Sequence, residues 1–136
     1  MNTAELFAEG MLEIKKNHKN SIARIDALLD LHIRIAENQP ISVTVFNDEW
    51  KHLPSPILED FIIQRKHYRK HFINILKDGM KKDLVVRMEE KTAFNLIINS
   101  VKWLHYTHKP LSFSDLEKRR KEIKTFVAKG LQINTL

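Results

Sequence analysis

The stretch "KTAFNLIINSVKWLHY", residues 91–106, carries the decision about the fold. At ~100° per residue, Ala93, Leu104, Ile97, Val101, Phe94 and Ile98 form one broad apolar arc of a helix. Leu96 and Trp103 lie across from that arc, with the small Ser100 between them. Only Lys91, Thr92, Asn95, Asn99, Lys102 and Tyr106 remain as a polar strip. A surface helix needs one buried stripe, and this one carries apolar groups over most of its circumference. Burial on two sides is therefore expected. Either the helix is central and wrapped by its own chain, or it packs inward on the core and outward on a second copy. A membrane span is a poorer account, because Asn95, Asn99 and Lys102 interrupt the run and no stretch reaches spanning length.

The rest of the chain is consistent with one soluble all-α domain over residues 1–136. Hydrophobic residues make up 43% and charged residues 29%, too balanced for a disordered chain. Three glycines and four prolines favour long helices over strands joined by tight turns. With no cysteine, disulfides, thiolate metal sites and cysteine nucleophiles are excluded together, which is compatible with a cytoplasmic protein. Glu5 and Glu9 interrupt the first turns, so no signal peptide is read there. The net charge of +6 is spread along the chain. Its densest cluster, "EKRRKEIK" at 117–124, mixes both signs at helical spacing, as a solvated face or as a contact for an anionic partner.

Six helices with short joints follow from periodicity and stop signals. The first spans about 3–18 and the second about 21–37, the latter with Ile22, Ile25, Leu28, Leu29, Ile33, Ile35 and Ala36 in a wide stripe. "NQP" at 38–40 ends it, since a residue before proline resists the helical region. A short third helix over about 41–52 places Val43, Phe46, Asn47, Trp50 and Leu53 on one side. A strand there is the alternative, without a partner strand elsewhere. The fourth helix starts with Ser55 as N-cap and Pro56 at its first position, and runs to about Lys82. Its stripe is Ile57, Leu58, Phe61, Tyr68, Phe72, Ile75, Leu76 and Gly79. The fifth covers about 86–108. The sixth begins after Pro110 with a capping box, Ser112 with Asp115 or Ser114 with Glu117. Its seam is Phe113, Leu116, Ile123, Val127 and Gly130, with Arg120 in one seam position.

Candidate chemistry is sparse. Glu49 and His52 spell E-x-x-H, but helical di-iron sites need two such motifs and two more carboxylates, so no metal is expected. His67/His71 and His105/His108 have metal-ligand spacing without a carboxylate to complete either set, and read as surface histidines. His32 sits inside the second helix's apolar stripe, as a hydrogen-bonded core histidine or as a polar contact for a ligand. Arg65 projects between Phe61, Tyr68 and Phe72, as half of an internal salt bridge or as counter-charge for an anionic ligand. No nucleophile elbow, phosphate-binding glycine loop or paired catalytic carboxylates are found, so neither an enzyme nor a cofactor is expected.

The order of elements resembles the C-terminal ligand-binding and dimerisation domain of TetR-family transcriptional regulators. "AELFAEGMLEI" at 4–14 is similar to the segment leaving that family's DNA-binding domain, and "NDEWKHLPSP" at 47–56 to the elbow before its long helix. "ILKDGMKKDL" at 75–84 looks like that helix's usual end. "LIINSVKWLHYTHKPLSFSDL" at 96–116 looks like the dimerisation helix and its joint to the last one. The resemblance covers nearly the whole chain, and the order of elements carries more of it than any one motif. Two departures stand out. Lys82 and Asp83 occupy the place where the family usually has a second glycine, and the helix-turn-helix that would enter DNA is missing from the 136 residues.

The resemblance implies a six-helix domain whose last two helices pair with a second copy in a four-helix bundle. Leu96, Ser100, Trp103, Leu116, Ile123 and Val127 would form that interface. It also implies a small-molecule effector, apolar or amphipathic, held by His32, Phe46, Trp50, Phe61, Arg65, Tyr68, Phe72 and Phe94. Effector binding would favour one dimer arrangement and release DNA, reached only through a helix-turn-helix outside this sequence. The same aromatic residues would equally fill a plain core. A helical protein–protein adaptor and a small helical enzyme are the competing classes.

Overall fold

The computed structural model describes residues 3–38, 50–102 and 112–133. These form five α-helices, with no strand among them: α1 Thr3–Asn17, α2 Ser21–Asn38, α3 Ile57–Lys81, α4 Glu90–Lys102 and α5 Phe113–Gly130. A single 3₁₀ turn, Trp50–His52, precedes α3. Most of the expected third helix, including Val43 and Phe46, lies outside the described residues. Its last turn is the 3₁₀ turn and not α-helix, closed by the Leu53 N–H bonding to the Trp50 carbonyl at 3.2 Å.

Helix α2 is the axis of the domain and packs against α1, α3, α4 and α5. Its Ile25, Leu28, Leu29 and Ile33 interlock with Phe7 and Met11 of α1 and with Phe72 and Leu76 of α3, all fully buried. The α1–α2 joint is tied by side chains that satisfy helix-end backbone groups. Asn20 Oδ1 accepts from the Ala23 N–H at 2.8 Å, and Arg24 donates to the carbonyls of His18 and Lys15 at 2.7 and 3.0 Å.

At the start of α3 the structure corrects the expected cap. Pro56 takes the N-cap position without a side-chain bond, and the Ser55 hydroxyl donates instead to the Glu59 carboxylate at 2.6 Å. That bond, more than any other influence, holds the Glu59 carboxyl below its ordinary range. At the far end, Asp83 adopts the left-handed region, φ 57°. The Leu84 N–H reaches back to the Gly79 carbonyl at 2.8 Å and the Asp83 N–H to Met80 at 3.1 Å, the two bonds of a Schellman cap. An aspartate thus does at residue 83 what glycine usually does, which accounts for the missing second glycine. Gly79 remains necessary because a Cβ there would come within 2.7 Å of Val85 Cγ2.

Helix α5 ends in the same way. Gln132 has φ 58°, the Ile133 N–H bonds to the Ala128 carbonyl at 2.7 Å, and the Gln132 N–H bonds to Lys129 at 3.2 Å. The two caps are joined by the Val86 N–H and the Leu131 carbonyl at 2.8 Å. Residues 82–89 are consumed by this junction, so α4 begins at Glu90 and not at the expected residue 86.

At its N-terminus α5 uses the first of the two capping options: Ser112 Oγ accepts from the Asp115 N–H at 3.2 Å. Farther along, the basic cluster turns inward. Arg120 donates from Nε and Nη2 to Asp30 Oδ1, at 2.9 and 2.5 Å, and Lys124 Nζ lies 2.9 Å from both Asp30 and Asp26. Burial alone would lower the Lys124 pKa, but hydrogen bonds to Asp30 and Asp26 outweigh it and the net shift is upward. The cations at these two positions clamp α5 onto α2.

A cavity and a groove on opposite sides of one helix

Two concave features meet at α4. Between α3 and α4 lies a cavity of about 120 Å³, lined by His32 of α2, Arg65, Tyr68 and Arg69 of α3, and Phe94, Asn95, Ile98, Asn99 and Lys102 of α4. Its floor is a buried polar pair: His32 Nε2 and the Tyr68 hydroxyl stand 2.5 Å apart. The rings of Phe7 and Phe72 pack on this pair, with centroids 4.5 and 6.3 Å from the imidazole. Burial pushes the Tyr68 phenol well above its ordinary pKa of 10.0, so it stays protonated and acts as donor or acceptor to the ring. His32 is thus a hydrogen-bonded core histidine whose edge also reaches the cavity.

Of the residues expected to hold a ligand, His32, Arg65, Tyr68 and Phe94 line this cavity. Trp50 and Phe61 form a stacked pair beside it, centroids 6.4 Å apart, and the Arg65 guanidinium lies over the Trp50 ring at 5.0 Å. Arg65 is half-exposed, not buried between aromatic rings as its spacing suggested. Phe72 belongs to the closed core, edge-on to Phe94 at 5.2 Å. Phe46 lies outside the described residues. Sequence reasoning missed Arg69, Asn95, Ile98, Asn99 and Lys102 as lining residues. The available signal was spacing: Arg69 stands one turn after Arg65, and Asn95, Asn99 and Lys102 form the polar strip of α4.

The second feature is an open groove between α4 and α5, about 430 Å³, walled by Met88, Ala93, Leu96, Ile97, Ser100, Phe126, Val127 and Leu131. Leu96 is 58% exposed and Phe126 71%, and Phe113 at the start of α5 is 80% exposed. Among the residues expected at a dimer interface, Leu96 and Ser100 face this groove. Ile123 and Val127 are only 5% and 4% exposed because they pack on the chain's own core, Val127 reaching the groove floor as well. Leu116 is half-buried, and Trp103 lies outside the described residues. Phe126, absent from the expected set, is the ring this face presents.

Histidines elsewhere make no metal site: among the described residues, no three His, Cys, Asp or Glu side chains converge. His71 Nδ1 lies 3.1 Å from Lys15 Nζ. Partial burial first, then the neighbouring positive charges of Lys15, His67 and Lys70, depress its pKa below 6.5. His52 is exposed, while Glu49, His105 and His108 lie outside the described residues. No described helix is long and apolar enough to cross a membrane.

A sequence model described as the tetracyclin repressor-like C-terminal domain matches residues 18–108, well over half of the chain. The chain belongs to that family. Domains of the tetracyclin repressor-like C-terminal family generally mediate dimerisation and effector binding in transcriptional regulators, and are typically non-enzymatic. The matched span contains every residue lining the cavity, whereas the α5 side of the groove lies beyond it. No curated protein matches the chain.

Proposed function

We propose that this tetracyclin repressor-like domain binds a small effector in the α3–α4 cavity, forms a homodimer through the α4–α5 groove, and couples the two to release of DNA. The observation that carries this reading is that α4 serves both features. Phe94, Asn95 and Ile98 face the cavity, Leu96 and Ser100 face the groove, and Asn99 borders both. A ligand inserted beside such a helix shifts the surface that meets the partner copy, because packed side chains transmit displacement and do not absorb it.

The groove suits a second copy of this chain. A single domain gains nothing by exposing Leu96 and the Phe126 ring beside an apolar trough, and a two-fold axis along α4 and α5 would bury both copies of each. The DNA-reading head would be a helix-turn-helix outside these 136 residues. Sedimentation velocity at micromolar concentration tests the reading: a dimer is expected, and a monomer overturns it. The adaptor alternative predicts that monomer.

A further inference from the structure

The cavity's charge says more about its occupant than its aromatic wall does. Three cationic side chains line it, Arg65, Arg69 and Lys102, and no carboxylate does among the described residues. Arg65 is engaged over the Trp50 ring. Arg69 is different: its guanidinium rests on the face of Phe94 at 5.6 Å, and no described side chain ion-pairs with it or accepts a hydrogen bond from it. Its planar fork, half-buried at the cavity wall, is geometrically matched to one carboxylate. Asn95 and Asn99, one turn apart on α4, bring two amide groups to the same opening.

Apolar groups share the lining with these polar ones. Phe94 and Ile98 close one side and the Tyr68 ring the floor. The volume of about 120 Å³ bounds the size, since a cavity of about 150 Å³ accommodates benzene. The body of the ligand is therefore about one ring, or a chain of equivalent volume. Inorganic phosphate would satisfy the guanidinium but leave the apolar wall uncovered. A neutral ring would do the reverse.

We propose that the α3–α4 cavity takes a small organic carboxylate, its apolar body against Phe94, Ile98 and Tyr68 and its carboxylate on the Arg69 guanidinium beside the Asn95 and Asn99 amides. The proposal rests on the reading of this cavity as the effector site and adds the class of effector. It also gives Arg69 a second state, since a carboxylate that draws the guanidinium off Phe94 frees that α4 ring to move against Phe72 of α3.

Calorimetric titration of the full chain with benzoate, hexanoate, benzyl alcohol and inorganic phosphate tests it, with dimerisation followed in parallel. Saturable binding of at least one carboxylate is expected, tighter than benzyl alcohol or phosphate by about tenfold or more, the usual weight of a charge-assisted hydrogen bond. Arg69→Met should weaken that binding about ten- to a hundredfold, while Lys70→Met, altering an exposed cation on the same helix, leaves it unchanged. A thermal melt of each variant separates lost binding from lost folding. Binding of neither carboxylate, equal binding of benzyl alcohol or phosphate, or full affinity in folded Arg69→Met overturns the carboxylate assignment. Any of these in an intact dimer leaves the dimeric-sensor reading standing; a monomer strikes that reading instead.

Discussion

Replacing Phe126 by alanine removes a ring that is 71% exposed in the single chain and stands on the rim of the α4–α5 groove. Full burial of a phenylalanine side chain is worth ~1.5–3 kcal/mol, so covering the exposed fraction contributes roughly 1–2 kcal/mol per ring. A two-fold interface counts the loss twice, giving roughly 2–4 kcal/mol and a dimer dissociation constant weakened about thirty- to several-hundredfold. The fold of one chain should barely respond, because the ring contributes little to the core and alanine is the better helix former by about 0.5 kcal/mol. Sedimentation equilibrium over a concentration series reads the dissociation constant. A melt at a concentration where both proteins are monomeric reads the intrinsic stability. An unchanged dissociation constant would refute the reasoning, since the most exposed apolar group on the groove would then lie outside the interface. A large loss of monomer stability would refute it differently, by showing that Phe126 is core.

Three further outcomes follow from the packing. Asp30→Asn should cost about 1–3 kcal/mol in urea unfolding, because it withdraws the shared carboxylate from Arg120 and Lys124. Lys124's folded-state pKa is raised above its ordinary 10.5, so its stabilisation is complete below that value and is lost as pH rises through the folded pKa; the wild-type advantage over Asp30→Asn should shrink in that alkaline window. Gly79→Ala sets a helix-propensity gain of about 1 kcal/mol against a 2.7 Å approach to Val85 Cγ2, and overpacking of about 1–3 kcal/mol should win, visible as a lowered melting temperature. Tyr68→Phe removes a buried hydroxyl from His32 and should destabilise by about 1–3 kcal/mol in the same assay; an unchanged protein would mean that the His32–Tyr68 bond contributes nothing.

Helix existence and the inward faces were legible because both depend on local period. Most of the stripes read for α2 and α3 are buried, but Ile22 in α2 and Ile57 and Leu58 at the start of α3 are left more exposed, and Leu31 and Met80 are buried outside the stripes as read. The family resemblance was legible for the same reason, since it rests on the order of helices and joints. Less legible were the ends. That Asp83 would take the left-handed region depends on where the following backbone must go, which the bond from Val86 to Leu131, forty-five residues away in sequence, helps to fix; that Ser55 would turn to Glu59 goes with Pro56 taking the cap position.

Half of the expected ligand set lines the cavity for a similarly local reason: Arg65 and Tyr68 share one side of α3, and a helix wheel shows that. The asparagines were read as a polar strip and Arg69 was not singled out, because a wheel says which residues share a face and not what stands opposite. The same limit put Ile123 and Val127 in the dimer interface, whereas both pack on the chain's own core and only Val127 also reaches the groove. Periodicity alone cannot choose between two apolar sides of a helix, and the choice here falls to the clamp of Arg120 and Lys124 on Asp26 and Asp30, which turns Ile123 and Val127 inward and leaves Phe126 outside. Residue spacing pointed to six helices, five of which are the α-helices of the described residues, and to most of their buried stripes and the two-faced character of α4. Only the docking of α5 on α2, and of α4 on α3, decided which of those faces became a cavity for a ligand and which a groove for a partner, because those contacts join residues that no local period relates.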